Sequence, residues 1–222
     1  MPQPGDRVKW SGRYHFGSTA LASKSAMSQW IGIVISDWSG VDMNLGRILA
    51  TILGTRSSII MSVYSESRSY ATQREILRKA ADECLNKTDA GLLENLLGLL
   101  APAASIRNKF AHGIWGISLD PKLDALLLVE QKDLFKLTIA QRRHIRRTRN
   151  SGPHDLLTNM PQLNVSDIQI YRLNDLERAG KQLDLAYGMT EAFRSLVESD
   201  GDRRCRIRKY LKNEYPRLKG RS

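Results

Sequence analysis

The chain has 222 residues, of which 41% are hydrophobic and 26% charged, a composition typical of a folded globular protein with one sizeable domain. No stretch approaches the roughly eighteen consecutive apolar residues of a membrane helix, and the polar N-terminal residues lack the apolar region of a signal peptide. The two cysteines, Cys84 and Cys205, lie far apart and do not form the pattern of a disulfide framework or a zinc site. These features predict a cytoplasmic protein with no membrane partner.

The positive charge of the chain is concentrated in two segments. The net charge is +11; residues 141–150 contain five arginines and no acid, residues 200–222 contain nine basic and three acidic residues, and the rest is neutral. Guanidinium groups bind phosphates in a two-point geometry, so two such segments on a neutral body favour a nucleic-acid partner over a solvated surface. The candidate nucleic-acid-binding residues are Arg142, Arg143, Arg146, Arg147, Arg203, Arg204, Arg206 and Arg208.

Changes in composition divide the chain into three parts. Residues 1–27 are rich in Gly, Ser and Pro and predict a loose leader. Residues 28–199 show helical periodicity, interrupted over residues 114–171 by a β-hairpin and a basic connector. Residues 200–222 form a basic C-terminal tail. The predicted fold class is mainly α, an antiparallel helical bundle with a small β-hairpin insertion.

Two long apolar stripes support this bundle. Apolar residues recur at alternating steps of three and four from Ile31 to Ile52 and again from Leu176 to Val197, which is the spacing of a core-facing helix. Gly54 and Gly201 follow these stripes and fit the ends of the two helices.

A strongly apolar run at residues 91–100 predicts a central helix. Asp89 is a candidate N-cap of this helix, and Pro102 is expected to end or kink it. Helical character resumes over residues 103–111, with Gly113 as the stop. Beyond it, residues 114–119 and 124–130 predict paired strands, and residues 134–139 a possible third strand.

The motifs of metal- and nucleotide-dependent enzymes are missing from the sequence. There is no phosphate-binding GxxxxGK[ST] loop, no HExxH zinc motif and no GxSxG nucleophile turn, and the four histidines are scattered. Neither a metal nor a cofactor is therefore predicted.

The segment Arg107-Asn108-Lys109-Phe110-Ala111-His112-Gly113 carries the residues suited to metal-free RNA cleavage. An imidazole can accept the 2′-hydroxyl proton near neutral pH, and a guanidinium can stabilise the negative charge that builds on the phosphate. Asn108 can orient the imidazole or the phosphate. The products of this internal attack are a 2′,3′-cyclic phosphate and a free 5′-hydroxyl.

This segment resembles the R-N-x-x-A-H-G form of the Arg-x(4–6)-His motif of HEPN domains (higher eukaryotes and prokaryotes nucleotide-binding). The resemblance implies an all-α bundle that forms a homodimer and, commonly, a metal-independent endoribonuclease at the dimer cleft. Arg107 and His112 match the defining pair, and Asn108 matches the polar residue that often follows the arginine. Residues 28–113 and 172–199 are consistent with such a domain. Single-stranded RNA, a homodimer and an antitoxin or other regulatory protein are the expected partners, in a toxin, defence or RNA-processing role.

Alternatives remain at each step. Arg149 and His154 have the same spacing, but they flank a Gly-Pro turn that would not hold them rigidly. Arg107 could pair with a helix acid, Glu94 in preference to Asp42, and His112 could satisfy carbonyls at a helix end. A non-catalytic dimer that binds nucleic acid, nucleotide or protein is the competing function.

The geometry of an α-helix sets a further condition on the motif. Five residues of helix turn about 500°, so Arg107 and His112 point about 140° apart. The helix would have to loosen before Gly113, the long arginine would have to reach around, or a second protomer would have to complete the site.

Overall fold

The structure is a computed structural model and describes residues 2–67, 69–148 and 160–216. It is mainly helical with a small antiparallel sheet, as the sequence predicts. The chain divides into two compact units. The first, the sheet unit, contains the described residues up to Gly32 together with those from Asn108 to Arg178, and the second, the helical unit, contains Ile33–Arg107 together with the described residues from Ala179 onward.

The helices of the described residues are α1 (Thr19–Ala22), α2 (Ser25–Ile52), α3 (Ser57–Ser65), α4 (Tyr70–Cys84), α5 (Lys87–His112), α6 (Gln131–Thr148), α7 (Leu173–Val197) and α8 (Gly201–Glu214). The strands are β1 (Gln3–Pro4), β2 (Tyr14–Phe16), β3 (Ile114–Ser118), β4 (Leu126–Val129) and β5 (Gln169–Tyr171).

The sheet has the order β1-β5-β4-β3-β2, and every neighbouring pair is antiparallel. The predicted hairpin is confirmed, since β3 and β4 pair with Trp115 opposite Leu128. All four residues of β4 are buried, which explains why this strand reads as a continuous apolar run instead of an alternating one.

The prediction of a loose leader is wrong, because the segment supplies both edge strands of the sheet. β1 pairs with β5 and β2 pairs with β3. Tyr14 and Phe16 pack against the core of the sheet unit, and the Tyr14 hydroxyl accepts a hydrogen bond from the Leu163 amide at 3.2 Å. Strands of two and three residues are too short to show an alternating pattern in the sequence.

The predicted third strand at residues 134–139 is also wrong, as these residues belong to α6. Leu134 and Leu137 lie three residues apart, so a helix places them on one side, where they pack against the core of the sheet unit. That spacing fits a helix better than the period of two that a half-buried strand requires.

The helical unit is built around the two predicted apolar stripes. Residues of both stripes are buried, including Val34 and Leu45 on α2 and Leu183 and Phe193 on α7. Asn44 of α2 donates a hydrogen bond to the Thr190 hydroxyl of α7 at 3.4 Å. α4 joins α5 through the Tyr70 hydroxyl, which donates to the Leu97 carbonyl at 2.6 Å.

Pro102 does not end the central helix, because α5 runs without a break from Lys87 to His112. An interior proline costs a helix about 3 kcal/mol. The flanking residues Leu96, Leu97, Leu100, Ala103 and Ala104 are all buried, and this burial offsets the cost.

The C-terminal segment is not a simple tail. Gly201 has a positive φ of 52° and separates α7 from α8, which confirms the predicted break. α8 then extends to Glu214 and its Leu211 is fully buried, while residues 217–222 lie outside the described residues. None of the helices in the described part of the chain has the length and apolar character needed to cross a membrane.

Candidate functional site

The segment that resembles the HEPN motif forms the last two turns of α5. The buried side of this helix carries Leu93, Leu96, Leu100 and Ala103 at steps of three and four. Arg107 continues the same row and is half-buried, and Phe110 after it is buried.

Asn108 and His112 are solvent-exposed and lie about 100° and 140° around α5 from Arg107. They are four residues apart and therefore neighbours on the helix surface. The helix stays regular up to its end, because the Gly113 amide donates to the Lys109 carbonyl at 2.8 Å. Loosening of the helix before Gly113 is thus excluded as the means of bringing Arg107 towards His112.

The acid beside Arg107 is Asp42 of α2. Burial raises the pKa of Asp42, against the lowering effects of Tyr64, Arg107 and Gln73. Tyr64 and Gln73 are buried, so the carboxyl group lies in a polar cluster contributed by α2, α3, α4 and α5. Glu94, the acid preferred in the sequence, pairs with Arg74 of α4.

The end of α5, from Asn108 onward, belongs to the sheet unit and packs within it. Phe110, Trp115 and Tyr171 pack edge to face with ring centroids 5.3–5.6 Å apart. The Trp115 indole donates to the Phe110 carbonyl at 3.2 Å. Such packing fixes the position from which His112 projects, and a catalytic group needs this preorganisation.

Gly113 is required by the close approach of β4 to the end of α5. A Cβ atom at this position would lie 2.3 Å from Leu128 Cδ1 and 2.6 Å from the Lys109 carbonyl oxygen. Gly113 has no positive φ, so its role is steric and not conformational.

The four candidate arginines of α6, Arg142, Arg143, Arg146 and Arg147, are all exposed. Within the part of the chain that the structure describes, none of them forms an ion pair, whereas Lys132 and Lys136 at the start of α6 pair with Glu130 and Asp133. The C-terminal half of α6 therefore presents uncompensated positive charge. Basic residues also suit the C-terminal dipole of a helix.

The candidate arginines of α8 fall into two classes. Arg203 and Arg206 are exposed. Arg204 and Arg208 instead bind Asp89 of α5, whose side chain is fully buried. Two of the four arginines of α8 that were predicted to bind nucleic acid therefore have a role in the fold.

Asp89 was expected to cap α5, but Asn86 has that role. The Asn86 side-chain oxygen accepts from the Asp89 amide at 3.1 Å. In the sequence, Asp89 is an acid directly before an apolar run. That pattern fits a helix cap as well as a buried partner of two arginines, so the sequence could not identify the ion pairs.

Two further sequence predictions concern other groups. Arg149 and His154 lie outside the described residues. Among the residues that are described, no three His, Cys, Asp or Glu side chains are placed to hold a metal ion.

Comparison of the chain with protein-family models, curated proteins and solved structures finds no match. The resemblance to HEPN domains therefore depends on residues 107–113 and on the helical pattern around them.

Proposed function

We propose that the protein is a metal-independent endoribonuclease of the HEPN type that acts as a homodimer. The observation that carries this proposal is the exposed His112 at the end of a firmly packed helix, next to the exposed Asn108. A general base needs access to its substrate and a fixed position; the exposure of His112 and the packing of nearby Phe110 against Trp115 support this role.

In the proposed reaction, neutral His112 accepts the proton of a ribose 2′-hydroxyl, whose oxygen attacks the adjacent phosphorus. The bond from phosphorus to the 5′-oxygen breaks, and that oxygen takes the proton back from the same His112, which returns to its neutral form. Arg107 stabilises the charge on the non-bridging oxygens, and Asn108 orients the phosphate. The products are a cyclic phosphate and a 5′-hydroxyl.

A second copy is part of the proposal because of the helix geometry. Arg107 belongs to the buried row of α5 and His112 to its exposed side, about 140° away. Two copies related by a twofold axis can place Arg107 of one beside His112 of the other. Asp42 would hold the guanidinium of Arg107 in place.

The exposed arginines would hold the RNA by sequence-independent contacts to phosphate. We assign this role to Arg142, Arg143, Arg146 and Arg147 of α6 and to Arg203 and Arg206 of α8. The biological setting would be a toxin, a defence system or RNA processing, with an antitoxin or regulatory protein as the partner.

The decisive experiment measures cleavage of single-stranded RNA in the presence of a chelator, with detection of cyclic-phosphate ends. His112→Ala should lower the rate by about 10²- to 10⁴-fold. His15→Ala is the matched control, because His15 is the exposed histidine of β2 and should leave the rate unchanged. Equal rates for the wild type and His112→Ala would refute the mechanism.

The uncompensated arginines of α6 also support a second function, a dimer that binds nucleic acid without cutting it. The same assay separates the two. If the wild type retains RNA in a binding measurement but yields no cyclic phosphate, the non-catalytic function holds.

A further inference from the structure

The outward side of α6 carries an aromatic residue in line with two of its arginines. Phe135 is 66% exposed, an unusual state for a side chain of this size and apolarity. Phe135, Arg142 and Arg146 are separated by seven and then four residues. Arg142 therefore lies nearly two full helical turns after Phe135, and Arg146 just over three turns after it. Each deviates from the direction of Phe135 by only about 20°, so the three side chains form one row.

The row has the dimensions of a short piece of nucleic acid. With the helical rise of 1.5 Å per residue, Phe135 and Arg142 are about 10 Å apart along the axis and Arg142 and Arg146 about 6 Å. An aromatic face beside spaced cations is the combination that binds unpaired bases and their phosphates.

From this row we infer that α6 is a binding platform for single-stranded RNA, in which an unpaired base stacks on Phe135 and the flanking phosphates contact Arg142 and Arg146. The inference rests on the proposed function for the identity of the strand as RNA. The binding itself does not depend on cleavage.

The charge distribution of α6 supports a polyanionic ligand. From Leu134 to Thr148 the helix contains no acid, and Arg142 and Arg146, like Arg143 and Arg147, are like charges four residues apart. Such pairs destabilise a helix, and a bound phosphate between them relieves the repulsion.

An anionic membrane is the other polyanion to consider, and the structure disfavours it. A membrane-surface helix needs a continuous apolar side. On α6, Leu134 and Leu137 already pack against the core of the sheet unit. The remaining exposed apolar residue, Ile145, lies about 80° around the helix from Phe135 and does not extend its row.

The test measures binding by fluorescence anisotropy with a labelled oligouridine of about 12 nucleotides, within the usual site size of single-strand binders. Its riboses carry 2′-O-methyl groups, so the strand lacks the nucleophile and stays intact. Phe135→Ala should weaken binding by about 5- to 100-fold, the usual effect of removing one stacking platform. Binding of the same strand in a duplex should not change, because paired bases cannot stack on the ring.

Val63→Ala on α3 is the control, since Val63 is 64% exposed and apolar but lies on a different helix; the affinity of this variant should equal that of the wild type. Arg142→Gln should lower the slope of log Kd against log salt by about 0.7, the value for one phosphate contact to a single strand.

The inference is overturned if Phe135→Ala leaves single-strand binding unchanged, or if it weakens single-strand and duplex binding equally. It is also overturned if the protein binds vesicles of anionic phosphatidylserine through Phe135 and does not bind the oligouridine. The binding assay uses an oligouridine that cannot be cut, so its result does not depend on cleavage. If the wild type forms no cyclic phosphate in the separate cleavage assay, the proposed reaction is refuted but the binding result is unaffected.

Discussion

Arg208 binds both carboxylate oxygens of Asp89, with Nε 2.7 Å from Oδ1 and Nη2 2.9 Å from Oδ2. Arg204 donates two more hydrogen bonds to Oδ2, at 3.1 and 2.9 Å, and the Asn86 amide donates to the same oxygen at 2.8 Å. The Asp89 side chain is 0% exposed, so α8 is joined to the first turn of α5 by a buried carboxylate between two guanidinium groups. Bidentate contacts of this kind are directional and strong.

Replacing the Asp89 carboxylate should lower the free energy of unfolding. Asp89→Asn leaves two guanidinium groups without their counter-charge, and loss of one member of a buried pair costs about 3–5 kcal/mol. Urea unfolding at neutral pH measures the change in the free energy of unfolding. Asp82→Asn is the control: Asp82 pairs with Arg78 on the exposed surface of α4 and should cost at most about 1 kcal/mol. Equal losses in the two variants would contradict a special role for Asp89.

The contribution of Asp89 should depend on pH. Burial raises its pKa, but hydrogen bonds from Arg208, Asn86 and Arg204 outweigh this effect, and the net pKa lies below the ordinary value. The unfolded state therefore takes up the proton first as the pH falls, so the stabilisation is complete above about pH 4 and is lost below it. The difference in unfolding free energy between the wild type and Asp89→Asn should shrink over this range. A constant difference from pH 7 to pH 2 would argue against it.

The contribution of Asp42 to stability should depend on pH in the opposite direction to that of Asp89. Its pKa is raised, chiefly by burial, so the folded state holds the proton to higher pH and stability falls as the pH rises through the raised pKa. At pH 7, Asp42→Asn should therefore match the wild type in stability or exceed it by about 0.5–2 kcal/mol. Cleavage should fall by about tenfold to a hundredfold in kcat with KM unchanged, because Arg107 loses the group that positions it.

A matched control for Asp42 lies on the same helix. The pKa of Asp37 is also raised, by burial and by Asp184, so Asp37→Asn likewise removes a negative charge that its surroundings disfavour. Asp37 has no part in the polar cluster around Arg107, and its replacement should leave kcat unchanged. A fall in kcat for both variants would show that charge on α2, and not the position of Arg107, controls the rate.

The long helices could be predicted from the sequence because their apolar residues repeat at helical spacing over several turns. The stripe from Ile31 to Ile48 is buried throughout, and β3 and β4 pair as expected. The edge strands could not be predicted, since β1 and β2 owe their form to pairing with β5 and β3, which are distant in sequence. Pro102 does not end α5, which is one of its two predicted effects, because burial of its neighbours outweighs the local cost.

In the candidate site too, helical spacing could be predicted from the sequence and tertiary partners could not. The side of α5 on which each residue lies follows from helical spacing, so the separation of Arg107 from His112 was predictable. The partners were not predictable: the sequence favoured Glu94 over Asp42 as the acid beside Arg107, whereas packing pairs Glu94 with Arg74 and places Asp42 near Arg107. The internal role of Arg204 and Arg208 likewise depends on a residue more than a hundred positions away.

A side chain at Gly113 should destabilise the protein. Gly113→Ala places a Cβ against Leu128 and the Lys109 carbonyl and should destabilise the protein by about 1–3 kcal/mol, the usual cost of overpacking. A Cβ atom at Gly98, within α5, would meet no atom within 4 Å, so Gly98→Ala should stabilise the protein by about 0.5–1 kcal/mol. Thermal unfolding of the two variants gives the comparison. Adding Leu128→Ala should recover part of the Gly113→Ala loss in a double-mutant cycle, and strict additivity would disprove the contact.

Mixing two inactive variants should restore cleavage if Arg107 and His112 act across a dimer. Arg107→Ala and His112→Ala should each be inactive alone. In a mixed dimer, one site lacks both groups and the other has both intact. Equal mixing after unfolding and refolding together should therefore return about one quarter of the wild-type rate, since half of the dimers are mixed and each has one complete site. If the mixture stays as inactive as its components although mixed dimers form, the pair must act within one chain, with the long Arg107 side chain reaching around α5.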